Sequence, residues 1–289
     1  MVEKNKSLKG KVCMVTGATA GIGVVTARAL AQEGAKVIVV GRNKEKSAST
    51  VAQIKKQTGN PDIQYMLADL SIQKEVRKLA EDFKSKFTRL DILVNNAGAA
   101  FDKHFETADG LEMTFALNHL SYFLLTNLLL DTIKASVPSR IINVSSAAHK
   151  GAKINFDDLQ GKKKYGAMRA YGQSKLANIL FTYELARKLE GSGVTSNALH
   201  PGFVASSFGS NMSGAFRLLI RFFQLFALSS EKGAETSIYL ATSLDVANTT
   251  GKYFVKKKEV STSVVSYDNK VAEKLWKVSE GLTNLSVSS

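Results

Sequence analysis

The chain has little of what marks a secreted, disulfide-stapled or membrane-spanning protein. Its 289 residues include a single cysteine, Cys13. An intrachain disulfide is therefore excluded, and so is a small disulfide-built scaffold. No uninterrupted apolar run reaches the roughly 18 residues that a spanning helix needs. The segment Met1 to Lys11 is polar and lysine-rich. It lacks the apolar centre of a signal peptide, so neither a secretory leader nor an N-terminal anchor is expected. Internal repeats, low-complexity linkers and breaks in composition are also missing. His104, His119 and His200 have no acidic or cysteine partners at ligand spacing, so no metal is expected.

Acidic charge is in deficit. Thirty-nine Lys and Arg face 25 Asp and Glu, giving a net charge of +14. The lysines fall in short scattered runs (Lys55-Lys56, Lys162 to Lys164, Lys256 to Lys258) with no interleaved aromatics. This pattern fits a basic, solvated surface that attracts anionic cofactors, rather than a nucleic-acid interface. These absences together point to a cytoplasmic chain.

What is present is enough apolar residue, 44%, for one large core. Short β-branched runs alternate with longer amphipathic stretches. Strands are expected at Val12 to Thr16, Lys36 to Val40, Ile63 to Ala68, Ile92 to Asn95, Arg140 to Val144, Thr195 to Leu199 and Tyr253 to Val255. Helical patterns lie between them, among them Gly23 to Glu33 and Ile72 to Phe87. Strands alternating with helices require crossover connections. The expected fold is α/β: a doubly wound, Rossmann-type parallel sheet of about seven strands with helices on both faces, in a single domain over 1–289. A C-terminal helical tail is expected over about 268–289.

The first strand runs into Thr16-Gly17-Ala18-Thr19-Ala20-Gly21-Ile22-Gly23. Glycines in such a turn let the backbone approach a pyrophosphate, whose charge then meets the amides of the following helix. The second strand ends at Gly41-Arg42 with no acid at its tip. A carboxylate there would accept the ribose 2′-hydroxyl of NAD; a guanidinium suits a 2′-phosphate instead. Arg42, with Lys46 one turn later, therefore points to NADP(H). Glu45 is read as a favourable charge in the first turn of a helix.

Tyr171 and Lys175 stand four residues apart on one helix face. A phenol titrates too high for efficient proton transfer at neutral pH, and a nearby ammonium lowers that value. The chain also carries Asn95-Asn96-Ala97-Gly98, Asn118, Asn143-Val144-Ser145-Ser146 and His200-Pro201-Gly202. In this order, with Thr16 to Gly23, these residues resemble the short-chain dehydrogenase/reductase family over nearly the whole chain.

The resemblance implies a role for each residue. Tyr171 exchanges the proton of a carbonyl–alcohol pair. Lys175 lowers the Tyr171 pKa and binds the nicotinamide ribose. Ser146 holds the substrate oxygen, while Ser145, pointing to the other side of the strand, is structural. Asn118 helps to position Lys175 along a water-linked proton path. Thr16, Gly17, Gly21, Ile22 and Gly23 form the pyrophosphate turn. Asp69 and Leu70 flank the adenine, Asn95 lies beneath the cofactor, and Pro201 and Gly202 lie beside the nicotinamide.

The gap from Ser146 to Tyr171 is 25 residues, longer than the dozen or so common in the family. That insert, with Gly251-Lys252-Tyr253-Phe254, resembles the retinol dehydrogenase-like subgroup, many of whose members carry an N-terminal anchor. The expected reaction is NADP(H)-dependent carbonyl–alcohol interconversion on an apolar, retinoid or lipid-like substrate. A non-catalytic NADP(H) sensor or scaffold on the same fold is the alternative. His149 in the insert reads as an exposed loop histidine, and Tyr165 as a decoy, because Arg169 stands where its lysine would be. A substrate lid is expected over about 203–232. Within it, 11 of the 14 residues of 215–228 are apolar, and Arg217, Arg221 and Gln224 form one narrow polar stripe. Such a surface needs covering by core, substrate, partner or membrane interface, so a peripheral membrane contact is one expectation. Family members commonly form homo-oligomers, and the apolar pattern Leu117 to Leu130 suits either an interface or the core.

Overall fold

A computed structural model describes residues 7–203 and 229–285. The β-branched runs form strands because their alternate side chains can be buried on both faces of one sheet. These are β1 (Val12–Thr16), β2 (Lys36–Gly41), β3 (Ile63–Leu67), β4 (Ile92–Asn95), β5 (Ser139–Val144), β6 (Val194–His200) and β7 (Lys252–Val255). Their order across the sheet is β3-β2-β1-β4-β5-β6-β7, all parallel.

An eighth strand, β8 (Lys258–Glu259), pairs antiparallel with β7 at the edge. The hairpin adds a two-residue edge strand to the seven expected ones, all of which are present. Its two turn residues are Lys256 (φ 50°) and Lys257 (φ 64°). Such a turn normally announces itself by Asn-Gly or Gly-Gly; two lysines in left-handed backbone give no such signal.

Helices cover both faces. They are α1 (Gly21–Gln32), α2 (Lys44–Thr58), α3 (Gln73–Lys86), α4 (Met113–Phe115), α5 (Ser121–Leu128), α6 (Leu130–Lys134), α7 (Ala167–Lys188), α8 (Ser230–Thr242) and α9 (Asn269–Thr283). Alternation along β1 divides the core. Met14 joins Ile38, Val40, Leu93 and Ile141 on one face, under Phe83, Phe123, Leu185 and Trp276. Cys13 and Val15 join Val37, Val39, Val94 and Ile142 on the other, under Ala27, Leu30, Ile54 and Leu240. Phe123, Leu124, Leu125 and Leu129, from the apolar pattern Leu117 to Leu130, are buried in the first of these clusters.

A π-helical turn, Ala116–Leu120, joins α4 to α5 and carries Asn118. The expected lid over 203–232 lies outside the described residues except for Phe203 and 229–232, and the apolar run 215–228 lies wholly outside them. Of the expected tail, 286–289 also lie outside. Among the described residues, no helix is long and apolar enough to cross a membrane. The strand order reverses at β1 and β4, which opens a crevice beyond their carboxyl ends.

Candidate active site

That crevice is a cavity of about 680 Å³. Its walls include the turn Gly17 to Gly23, Arg42 at the tip of β2, Asp69 and Leu70 after β3, and Asn96 to Ala99 after β4. Ser145, Ser146, Tyr171, Lys175, Pro201 and Gly202 complete the opposite side.

Helix α1 begins without a cap. Ala20 offers no side-chain hydrogen bond, and no acid stands in the first turn. The amides of Gly21, Ile22 and Gly23 belong to the first turn, where intrahelical acceptors are missing, so they favour an anion. Gly17 has φ +63°, and a Cβ there would lie 2.8 Å from Ala97 Cα. Asn96 holds the turn in place: its Nδ2 donates to the carbonyls of Thr16 (2.8 Å) and Gly17 (3.3 Å). Thr16 Oγ1 in turn accepts from the amides of Asn96 (2.9 Å) and Ala97 (3.1 Å). Thr16 is therefore buried behind the turn as a clasp and not in the cavity wall.

The expectation for Asn95 is corrected. It is the last residue of β4, fully buried, and its Nδ2 donates to Asn143 Oδ1 (2.9 Å) and Thr126 Oγ1 (3.0 Å). Its neighbour Asn96 reaches the cavity instead.

Arg42 is exposed, and its guanidinium lies 3.8 Å from Asp69 Oδ2. An exposed pair at this distance is weak, which leaves Arg42 able to turn toward a ligand. The other Asp69 oxygen accepts from Ser71 N and Oγ. Asn43 caps α2 by accepting from Lys46 N, with Glu45 in the first turn. Uncapped amides, a glycine-rich turn and an arginine at the strand tip together fit a phosphorylated dinucleotide.

The reactive wall comes from β5 and α7. Gly172 permits it: a Cβ there would lie 2.9 Å from Ala148 O, so the short 3-10 turn after Ser146 packs directly on the helix. Ser145 Oγ is committed to Lys175 O at 2.7 Å. Ser146 Oγ accepts from Ala148 N (3.2 Å) and lies near enough to the Tyr171 phenol to draw its pKa down. Lys175 is 3% exposed; its Nζ donates to Val144 O (3.0 Å) and lies 5.6 Å from the Tyr171 ring centre.

Burial pushes the Tyr171 phenol up to about 12, against the pull of Ser146, and draws the Lys175 ammonium down to about 7. Desolvation is the largest cause of both shifts, and the Lys175 charge does not figure among the causes at Tyr171. Asn118 does not touch Lys175. Its amide oxygen accepts from Ala99 N (2.9 Å), and its Nδ2 donates to Ala99 O (2.9 Å) and Ser174 Oγ (3.0 Å). Its direct hydrogen bonds brace the wall beside Lys175.

His149 is fully buried, not exposed. Its Nδ1 lies 2.7 Å from Ser146 O, which can only accept, so the proton sits on Nδ1; its ring stands edge-on to Tyr253. His119 is buried between Asn178 Oδ1 (3.3 Å) and Ser279 Oγ (3.0 Å), and burial holds it at about 4. Among the described residues, no group of three or more His, Cys, Asp or Glu could hold a metal ion.

Sequence reading quotes Asn96 and Gly98 without giving either a role of its own, places Phe203 at the start of the substrate lid, and misses Ala99 and the apolar wall of Phe101, Leu117 and Met168. The doublet Asn95-Asn96 held a signal for the first, because β4 had to end between its two members. Nothing local marks the apolar wall, which, Phe203 included, four separate segments build.

A family model described as short chain dehydrogenase matches residues 11–215. Retinol dehydrogenase 12 of Mus musculus is 45% identical over 275 residues, which cover 95% of this chain and 87% of that protein. Retinol dehydrogenase 13 of Homo sapiens is 43% identical over 289 residues, covering 98% and 87% respectively. Among solved structures, an uncharacterized protein from Mycobacterium paratuberculosis matches with a TM-score of 0.78 and 32% identity, over 96% of this chain and 95% of that one. The RhlG/NADP active-site complex of Pseudomonas aeruginosa matches with a TM-score of 0.70 and 28% identity, over 93% and 98%.

Proposed function

The chain belongs to the short chain dehydrogenase family of oxidoreductases, and on that premise we propose that it interconverts a carbonyl and an alcohol on an apolar substrate with NADP(H). The observation that carries this reading is one cavity with three differentiated walls. The Tyr171 side chain, with Ser146 beside it and Lys175 flanking it, lines the same space as the uncapped start of α1 and the side chains of Phe101, Leu117 and Met168.

The bound nicotinamide supplies or takes up the hydride. Tyr171 holds the proton for the substrate oxygen. Its elevated pKa keeps it protonated at neutral pH, as a donor in the reducing direction must be. Ser146 offers its hydroxyl to the same oxygen and stabilises the charge that develops there. Lys175 has three N–H donors, of which one goes to Val144 O; another suits the ribose of the cofactor. The turn Gly17, Gly21, Ile22 and Gly23 receives the pyrophosphate, with Asp69 and Leu70 on the adenine side and Pro201 and Gly202 beside the nicotinamide. The relatives are named for retinol, an apolar alcohol, and the cavity's apolar wall supports a substrate of that class. Peripheral membrane contact through 215–228 and a homo-oligomer belong to the same reading.

The test is NADPH consumption against a panel of aldehydes and ketones that includes retinaldehyde. Turnover on long apolar carbonyls is expected. Cofactor binding without turnover on any of them would instead support a sensor.

Cofactor choice rests on Arg42. Arg42→Asp loses a charge-assisted bond and sets a second carboxylate beside Asp69. The ratio of kcat/KM for NADPH over NADH should fall by roughly 10- to 100-fold, the worth of such bonds. A ratio that stays unchanged would mean that Arg42 meets no 2′-phosphate.

A further inference from the structure

Tyr165, with no lysine at the catalytic spacing, lies outside the reactive wall, yet its contacts converge on the cavity's apolar side. Its hydroxyl donates to the main-chain carbonyl of Phe101 at 2.8 Å and lies 3.5 Å from Thr114 Oγ1. Phe101 lines the cavity and stacks edge-on with Phe105. The loop that carries Phe101 belongs neither to the sheet nor to a helix. It is tied to the insert before α7 at several further points. His104 stands edge-on to the Tyr165 ring, with centres 5.5 Å apart. Its Nε2 donates to Gln160 O at 2.9 Å, since a carbonyl only accepts. Gln160 Oε1 accepts from Glu112 N at 2.7 Å. Gly161 (φ +64°) abuts the tyrosine ring; a Cβ there would lie 3.3 Å from it. Met168, also in the apolar wall, follows Tyr165 by three residues.

We propose that Tyr165 is a specificity-determining positioning residue. Its hydroxyl fixes the Phe101 wall through the backbone and so sets the preference for long apolar carbonyls over short ones. The inference rests on the carbonyl–alcohol reading given above. The long insert between Ser146 and Tyr171 then has a purpose: it carries the latch that shapes the substrate end of the cavity. Removing the hydroxyl leaves the ring packed on Gly161 and His104. One hydrogen bond to a loop carbonyl is lost, and the loop gains freedom to move Phe101 out of line.

The experiment compares the parent, Tyr165→Phe, Phe101→Ala and the double variant with propanal and decanal as substrates and NADPH as cofactor. Tyr165→Phe should raise KM for decanal by roughly 3- to 10-fold, the worth of one hydrogen bond. Its kcat/KM for propanal and its affinity for NADPH should stay as in the parent. The double variant should match Phe101→Ala alone, because both changes act on one wall. A second readout needs no turnover. Decanol is inert toward the NADPH-loaded protein, so its binding can be followed by thermal shift, which should weaken in Tyr165→Phe. Equal losses on both aldehydes, unchanged decanal kinetics or additive effects in the double variant would overturn the proposal. A parent with no turnover on any carbonyl, but with decanol binding that depends on Tyr165, would overturn the catalytic reading and keep the latch.

Discussion

Tyr171→Phe is expected to lower turnover by roughly 10²- to 10⁴-fold, the range contributed by a positioned general acid or base. The change removes one oxygen. The ring can stay where Lys175 flanks it, so NADPH affinity should change little. The loss should fall on kcat rather than on KM, because the hydroxyl matters most as the substrate oxygen gains or gives up its proton. The pH dependence follows from the same group. With the phenol pushed up to about 12, carbonyl reduction in the parent should vary little with pH through neutrality. Alcohol oxidation, which needs the deprotonated form, should climb as pH rises. Turnover of the phenylalanine variant within a few-fold of the parent would remove Tyr171 from the chemistry.

Lys175→Met should abolish turnover to a similar extent and also weaken cofactor binding, because in the proposed function the ammonium serves both Tyr171 and the ribose. It should also make the protein more stable. Lys175 is 3% exposed and has one described hydrogen bond, to Val144 O. Its pKa falls from an ordinary 10.5 to about 7. The unfolded chain therefore binds more protons between about pH 7 and 10.5, and stability rises with pH across that window. Below about pH 7 the whole penalty stands, on the order of 5 kcal/mol at ~1.4 kcal/mol per pKa unit. Methionine fills a similar volume without charge and removes much of it. For a chain of this size each kcal/mol is worth about 2–4 °C in Tm, so melting at pH 6 should rise by several degrees, with a smaller gain at pH 10. A variant that melts below the parent at pH 6 would show that the buried ammonium is not a source of strain.

Several elements were legible because their cause is local. Val12 to Thr16 reads as a strand from its apolar run, the glycines after it read as a phosphate turn, and Tyr171 and Lys175 share a helix face by spacing alone. What escaped depends on distant partners. Arg42 was legible as a cation but not as the neighbour of Asp69 across the strand tips. Asn95 and Asn96 are chemically identical, and only the end of β4 decides which faces the ladder and which clasps the turn. His149 looked like a loop residue because its burial comes from Tyr253, more than a hundred positions away. Tyr165 was dismissed on catalytic spacing, while its contact with Phe101 spans 64 positions. The burial that raises the Tyr171 pKa likewise belongs to the packed core, which no local pattern reports.

Cys13, the second residue of β1, lies between β2 and β4, wholly buried, with its thiol pushed far above the ordinary range by burial. Since the thiolate is the reactive form, a thiol reagent reaches this sulfur only when the middle of the sheet comes apart. The rate of labelling is thus a clock for opening of the whole core. Because the chain has no other cysteine, the signal needs no deconvolution. Any ligand that binds only the closed protein slows that clock, by about 100-fold when its concentration is about 100 times its Kd. Alkylation with and without NADPH therefore measures cofactor affinity in variants that turn nothing over, Tyr171→Phe and Lys175→Met among them.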